Sequence, residues 1–211
     1  MRRNFLIKFN QIQVETPYNA ILSRLGYNKH LTDMNEKTSM KINDSINYAK
    51  NLCEPAGCFY ITKIEKNHGG TVRIQNGIEF NSTNVSKLLN GSSEIIFFAG
   101  TVGENIIHEI ENEIKNEKAS TALIYDAVAS ETTDAVMDWM ISYFSSELLR
   151  EGLKPTKSRY SAGYGDLGLE NQKKFYEILR LNELGIKLTQ EFILVPEKSV
   201  TALCGVEQII N

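Results

Sequence analysis

The segment from about Ala127 to Arg150 constrains this chain most. Val136, Met140, Tyr143 and Phe144 fall at helical spacing and give one long helix an apolar stripe. Gly152 and Pro155 bring that helix to a stop, and Thr121 to Tyr125 leads into it. A stripe of this kind is core more readily than cofactor contact, and it needs a surface to cover it. The sequence offers one just upstream. Glu94-Ile95-Ile96-Phe97-Phe98-Ala99 is a short apolar run ending at Gly100, the pattern of a strand buried on both faces.

The remaining elements arrange themselves around that pair. Residues 4–14 alternate loosely and predict a strand. Pro17 opens a short helix, Tyr18 to Leu25, which Gly26 stops. His30 to Thr38 reads as a polar loop. Met40 to Leu52 is predicted helical, with Ile42, Ile46 and Ala49 on one face, and Pro55 and Gly57 end it. Phe59 to Thr62 has strand composition, and His68-Gly69-Gly70 marks a turn. Thr71–Ile74 and Ile78–Phe80 flank Asn76-Gly77, a hairpin signal.

After the buried strand, Thr101 and Glu104 have the spacing of a capping box. Ile106, Ile107, Ile110 and Ile114 then predict an amphipathic helix whose charged residues face solvent. Lys157 to Gly168 is a loop rich in Gly and Ser. Glu170 to Leu181 is predicted helical, with Phe175, Ile178 and Leu179 inward and Gly185 as its stop. Phe192–Val195 and Val200–Val206 read as two closing strands. Helices and strands mix without strict βαβ alternation, so the expected class is α+β rather than a doubly wound sheet. The chain divides at most into an N-terminal segment, 1–90, packing on a core, 91–211, and reads as one continuous domain.

Composition narrows the functions. The 211 residues are 42% hydrophobic and 23% charged, with a net charge of −3. That is enough for one substantial core and too apolar for a disordered tail. A mildly acidic balance argues against a protein that grips nucleic-acid phosphates or an anionic membrane surface. No run approaches the ~18 apolar residues of a membrane span. Phe5 to Ile7 before Lys8 is far short of a secretory apolar core of ~7–15 residues, so a cytoplasmic location is expected. Cys53, Cys58 and Cys204 lack both disulfide-framework and C-x-x-C spacing. With His30, His68 and His108 scattered, no metal site is expected; the thiols read as reduced and mostly buried.

Two places suit a small anionic ligand. The first is the strand–turn–helix at Ala99-Gly100-Thr101-Val102-Gly103, since helix N-termini present free amides. It matches neither the dinucleotide fingerprint nor a P-loop, so a structural turn is the favoured reading; an unrelated nucleotide-binding enzyme is the alternative. The second is Arg159-Tyr160-Ser161-Ala162-Gly163-Tyr164-Gly165-Asp166. Arg grips carboxylates bidentately, glycines let backbone approach a flat ligand, and Tyr faces cationic or π-electron groups. An amino-acid-bearing nucleoside needs all three. A surface turn whose Arg pairs with a neighbouring acid fits the same residues.

Arg159-x-x-x-Gly163-Tyr164 resembles the R-x-x-x-G-Y signature of the activation domain of cobalamin-dependent methionine synthase. Other segments extend the resemblance. Phe97 to Gly103 is similar to that family's strand and T-x-G turn, and Ile124 to Ser130 to its entry into the long helix. Phe192 to Val200 is similar to its closing P-x-x-S-V element. Ile21-Leu22-Ser23-Arg24-Leu25-Gly26-Tyr27 is similar to an L-R-x-L-G-Y segment of short stand-alone members. The likeness covers most of the chain and is tightest from 94 to 206.

The resemblance implies a largely antiparallel sheet with helices that binds S-adenosylmethionine and serves methionine biosynthesis. In the long enzymes the domain docks over the cobalamin module after its cobalt has oxidised. It presents S-adenosylmethionine, and one electron, typically from flavodoxin, lets the methyl group restore methylcobalamin. The cofactors carry that chemistry, so no side-chain nucleophile or general base is expected. By position, Arg159 takes the ligand carboxylate, and Ser161, Gly163 and Tyr164 contact the ligand, partly through backbone. Asp134 stands where the family has a Glu and serves the cationic end, with Glu131 as the fallback.

The sequence also departs from the family. Tyr160 and Ala162 replace prolines common around this loop, and no N-terminal ligand-contacting Asp can be placed. The long enzymes' C-terminal hairpin, with its ligand-facing Tyr, is expected to be missing after Asn211, as are the homocysteine, folate and cobalamin modules. Two roles follow: reactivation in trans of a cobalamin-binding methyltransferase, or a non-catalytic docking or regulatory subunit of a corrinoid protein with a degraded ligand site.

Overall fold

A computed structural model describes residues 3–27 and 35–209. The predicted loop at His30 therefore lies largely outside the described residues. The elements run β1 (Leu6–Phe9), α1 (Tyr18–Arg24), α2 (Glu36–Leu52), β2 (Ala56–His68), β3 (Thr71–Ile74), β4 (Glu79–Asn81), α3 (Thr83–Leu88), β5 (Glu94–Thr101), α4 (Asn105–Lys115) and α5 (Ala119–Leu149). They continue with β6 (Leu153–Pro155), α6 (Gln172–Ile178), β7 (Lys187–Leu188), β8 (Leu194–Val195) and β9 (Ser199–Gln208).

The main sheet has the order β4-β3-β2-β5-β9-β6, and β1 also pairs with β2. Every pairing is antiparallel. The long β2 carries β1 along its first half and β3 along its second, with a bulge between Ile64 and Lys66. Bulges sharpen strand twist, and this sheet curls into a half-barrel. The class is α+β.

Strand β5 shows why its sequence is apolar throughout. Side chains alternate across a strand, and both faces of β5 are covered. Ile95, Phe97 and Ala99 join a core with Phe80, Phe175 and Leu203. Ile96 and Phe98 join a second core with Val136, Met140 and Phe144 of α5. The first half of α5 leaves the sheet and packs through Tyr125, Val128 and Ala129 against Ile42, Ile46, Ile106 and Ile110 of α2 and α4. Helix α5 thus buries one set of residues on helices and another on the sheet.

Two glycines let α5 approach. A Cβ on Gly100 would lie 2.8 Å from Val136 Cγ1, and one on Gly57 would lie 2.6 Å from Met140 Sδ and 2.7 Å from the Ala99 carbonyl.

Several predicted boundaries change. The capping box does not form: Thr101 ends β5, its hydroxyl accepts from Gly103 N at 3.2 Å, and Glu104 precedes α4 without a side-chain cap. Ile114 is 59% exposed, while Glu113 is buried and pairs with Lys118. The predicted first strand shrinks to Leu6–Phe9. Helix α5 begins at Ala119, taking in Thr121 to Tyr125. Helix α2 begins at Glu36, where the Asn35 side chain accepts from Thr38 N. The Glu170–Leu181 helix is divided because Arg180 adopts a left-handed conformation, φ 46°. Of Phe192 to Val195, only Leu194–Val195 is strand, and it pairs with β7 outside the main sheet; Phe192 has φ 63°.

Candidate functional site

A cleft of about 580 Å³ opens where β9 begins and β5 ends. Its lining includes Asp134 of α5, Arg159, Ser161 and Tyr164 of the glycine-rich loop, Gln172 of α6, and Glu197, Ser199 and Thr201 around the start of β9.

The loop is set down against β9. Beyond β6, Thr156 N donates to Gly205 O at 2.9 Å, and Gly205 N donates to Thr156 Oγ1 at 3.0 Å. Tyr160 and Leu203 then exchange backbone bonds of 2.9 and 2.8 Å. The interval between these contacts brings the Arg159 side chain to α5. The rest of the loop folds on itself: Gly163 N donates to Leu167 O at 2.8 Å, and Leu167 N donates to Tyr164 O at 3.0 Å. Gly163, at φ 85°, has a conformation that L side chains avoid. Ala162 and Leu167 are buried and pin the loop to the core, while Tyr164 stands 68% exposed beside the cleft.

A bracket from α3 holds the loop's far end. Asp166 accepts hydrogen bonds from the Ser82 hydroxyl, from Thr83 N at 2.7 Å and from Asn84 N at 3.2 Å. The Ser82 bond is the largest cause that holds the Asp166 carboxyl below the usual range; desolvation, next in size, opposes it, and the Asn84 and Thr83 amides add to the lowering. Asn84 Nδ2 also donates to the Tyr160 hydroxyl at 3.1 Å.

The cleft floor is polar and satisfied. Gln172 Nε2 donates to Thr201 Oγ1 at 2.8 Å, and the Thr201 hydroxyl is 3.1 Å from Gln172 Oε1. Ser199 Oγ donates to Thr101 Oγ1 at 2.9 Å.

Charge is unevenly distributed. Arg159 Nη1 donates to Asp138 Oδ1 at 3.0 Å, and Arg159 Nη2 lies 3.6 Å from Asp134 Oδ1. Asp134 is shared, since Arg24 Nη2 reaches its other oxygen at 4.0 Å. Arg24 Nε donates to Glu131 Oε1 at 2.6 Å. Acids at 131, 134 and 138 lie on one face of α5 and run between the two arginines.

The structure therefore brings Arg159, Ser161, Tyr164 and Asp134 to one cleft. Gly163 shapes the loop behind it. Glu131 is not among the cleft residues and is occupied by Arg24. The sequence reading did not assign Gln172, Glu197, Ser199 and Thr201 to the site. The only signal for Glu197 and Ser199 was the Pro196-Glu197-Lys198-Ser199-Val200 segment.

At the other candidate turn, a Cβ on Gly103 would lie 2.9 Å from Glu54 Oε2, so the chain's own carboxylate already packs there. Asn105 Nδ2 donates to that carboxylate at 3.0 Å. The three cysteines are free thiols. Burial pushes Cys53 up to about 11 and Cys58 and Cys204 up to about 12, so none is a thiolate nucleophile near neutrality. Among the described residues no helix is long and apolar enough to cross a membrane.

No protein-family model matches this chain, and no curated protein matches it. Among solved structures it is similar to a crystal structure of the MetH reactivation domain bound to AdoHcy. The TM-score is 0.69 at 14% identity, over 99% of this chain and 80% of that one. The antiparallel half-barrel sheet and its helices have a fold like that of the MetH reactivation domain.

Proposed function

We propose that this protein binds S-adenosylmethionine in the cleft beside Arg159 and supports reductive remethylation of a cobalamin-binding methyltransferase in trans. The observation that carries the reading is the convergence of the Arg159 loop, Asp134 and the start of β9 on one cleft in a fold whose solved neighbour holds AdoHcy. The residues present fit the ligand. A cleft of about 580 Å³ falls within the roughly 300–1,000 Å³ of small-molecule sites. Arg159 is the group for the carboxylate, and Asp134 faces the cationic end. Backbone around Gly163 and the Tyr164 ring border the space left for the nucleoside.

S-adenosylmethionine supplies a methyl group on a cationic sulfur, and the protein supplies its placement before the corrinoid. A flavodoxin or another low-potential donor supplies the electron. No side chain is asked to act as nucleophile or general base.

Isothermal titration with S-adenosylmethionine tests the reading. Arg159→Ala is expected to weaken binding by about 1.5 kcal/mol, the low end for a hydrogen bond to a charged group, because the ligand must displace Asp138. Asp134→Asn is expected to weaken it less, by under about 1 kcal/mol, since this carboxylate is half exposed. An unchanged affinity in Arg159→Ala removes Arg159 from the site.

One observation favours a second reading. Arg159 already has two acidic partners, as it would in a docking or regulatory subunit of a corrinoid protein whose ligand site has been lost. No heat of binding at any ligand concentration, with retained association to a corrinoid protein, would select it.

A further inference from the structure

Another hollow, of about 420 Å³, lies where α1 ends and α2 and α5 begin. Its volume also falls within the roughly 300–1,000 Å³ of small-molecule sites. Leu25, Ile42, Leu123 and Ile124 give it an apolar wall, and Leu123 is 60% exposed, so that wall is open to solvent. Lys37 and Lys41 of α2 join the lining. Four residues apart, they project from one face of the helix. Both are exposed, and neither has an ion-pair or hydrogen-bond partner among the described residues. By contrast, Lys8 pairs with Glu183, Arg24 with Glu131, Lys118 with Glu113 and Lys198 with Asp126. Among the described residues no Asp or Glu lines this hollow. Lys37 also stands in the first turn of α2, where the positive end of the helix adds to the field of the two ammonium groups. On a chain of net charge −3, this is a local reversal of sign laid over an apolar wall.

We propose that this hollow binds a small amphipathic anion, an aliphatic carboxylate whose chain lies on Leu25, Ile42, Leu123 and Ile124 and whose head group meets Lys37 and Lys41. The two features set the class together. An apolar wall with a few convergent polar groups selects a ligand with an apolar body and one polar end. Lysine is a compact charge on a flexible stem, which suits a single anionic head group better than a planar, two-pronged one. Lysine stems also cover apolar surface while their ammonium groups stay in water, so the charges belong at the mouth of such a site. The hollow is separate from the Arg159 cleft. The two linings share no residue, and Asp134 lies about 15 Å along α5 from Ile124, at ~1.5 Å per residue. The proposal therefore stands or falls independently of S-adenosylmethionine binding.

The test is isothermal titration of the full chain with octanoate, with octanol, which keeps the chain and lacks the charge, and with acetate, which keeps the charge and lacks the chain. Wild type is expected to bind octanoate saturably and more tightly than either. Lys37→Gln and Lys41→Gln are each expected to weaken octanoate about two- to fivefold, the range for exposed charge pairs. The effect should shrink at high salt, and octanol binding should not change. Leu123→Ser is expected to weaken octanoate and octanol alike. All three residues are exposed, so the variants fold. Arg159→Ala, in the other cleft, is expected to bind octanoate as wild type does. No saturable octanoate binding overturns the proposal. So does acetate binding as tight as that of octanoate, full octanoate affinity in both lysine variants, or a loss of octanoate binding in Arg159→Ala.

Discussion

Asp166 shows how one residue ties the cleft to the rest of the chain. Its carboxylate receives the Ser82 hydroxyl and two amides at the start of α3, so the loop carrying Ser161, Gly163 and Tyr164 is clamped to the β3–β4 edge. The sign of the pH effect follows. A carboxyl held low in the folded state adds stability above its unfolded value and loses it as pH falls through the folded value. Below about pH 4, near the ordinary Asp value, the protection of the Thr83 and Asn84 amides relative to their intrinsic exchange rates is expected to fall before global unfolding. Asp166→Asn should show low protection at every pH; pH-independent protection in wild type would remove the clamp. At this scale the sequence was legible wherever chemistry was local. Arg159, Ser161 and Tyr164 lie within six positions, and Asp134 came from the family resemblance. Gln172 and Thr201 were not legible, because only folding brings α6 and β9 to that loop.

Elements were legible in proportion to their length and burial. Helix α5 and strand β5 stood out because long or continuous apolar patterns survive tertiary context. The Asn76-Gly77 hairpin was readable because both residues take positive φ, 88° and 76°. Helix α3, with six residues, and β6, with three, were missed because short elements owe their form to what they pack on. The capping box failed for a related reason: pairing with Ser199 keeps Thr101 in the sheet, and the helix starts later. Packing of α5 on the sheet yields a prediction. Gly57→Ala places a methyl against the fixed Ala99 carbonyl as well as Met140. A loss of about 1–3 kcal/mol is expected from overpacking, read as a lower urea midpoint at unchanged slope. Gly100→Ala, which meets the stiff Val136, should behave alike. No change in midpoint for either would mean that α5 sits farther from the sheet.

Over the whole molecule, strands from distant parts of the chain interleave. Strand β2 lies between β3 and β5, and β9 lies between β5 and β6. One sheet shared in this way is expected to unfold in a single transition by circular dichroism and by tryptophan fluorescence, since Trp139 lies on α5. Two separated transitions would divide the chain. Pairing Glu94–Thr101 with Ser199–Val206 also sets a clock. Contacts so far apart along the chain slow the search for the native arrangement, to about milliseconds or seconds in sheet-rich domains. Binding of S-adenosylmethionine, as proposed, should therefore lag behind recovery of helical signal after dilution from denaturant, appearing only when the final strand slots home.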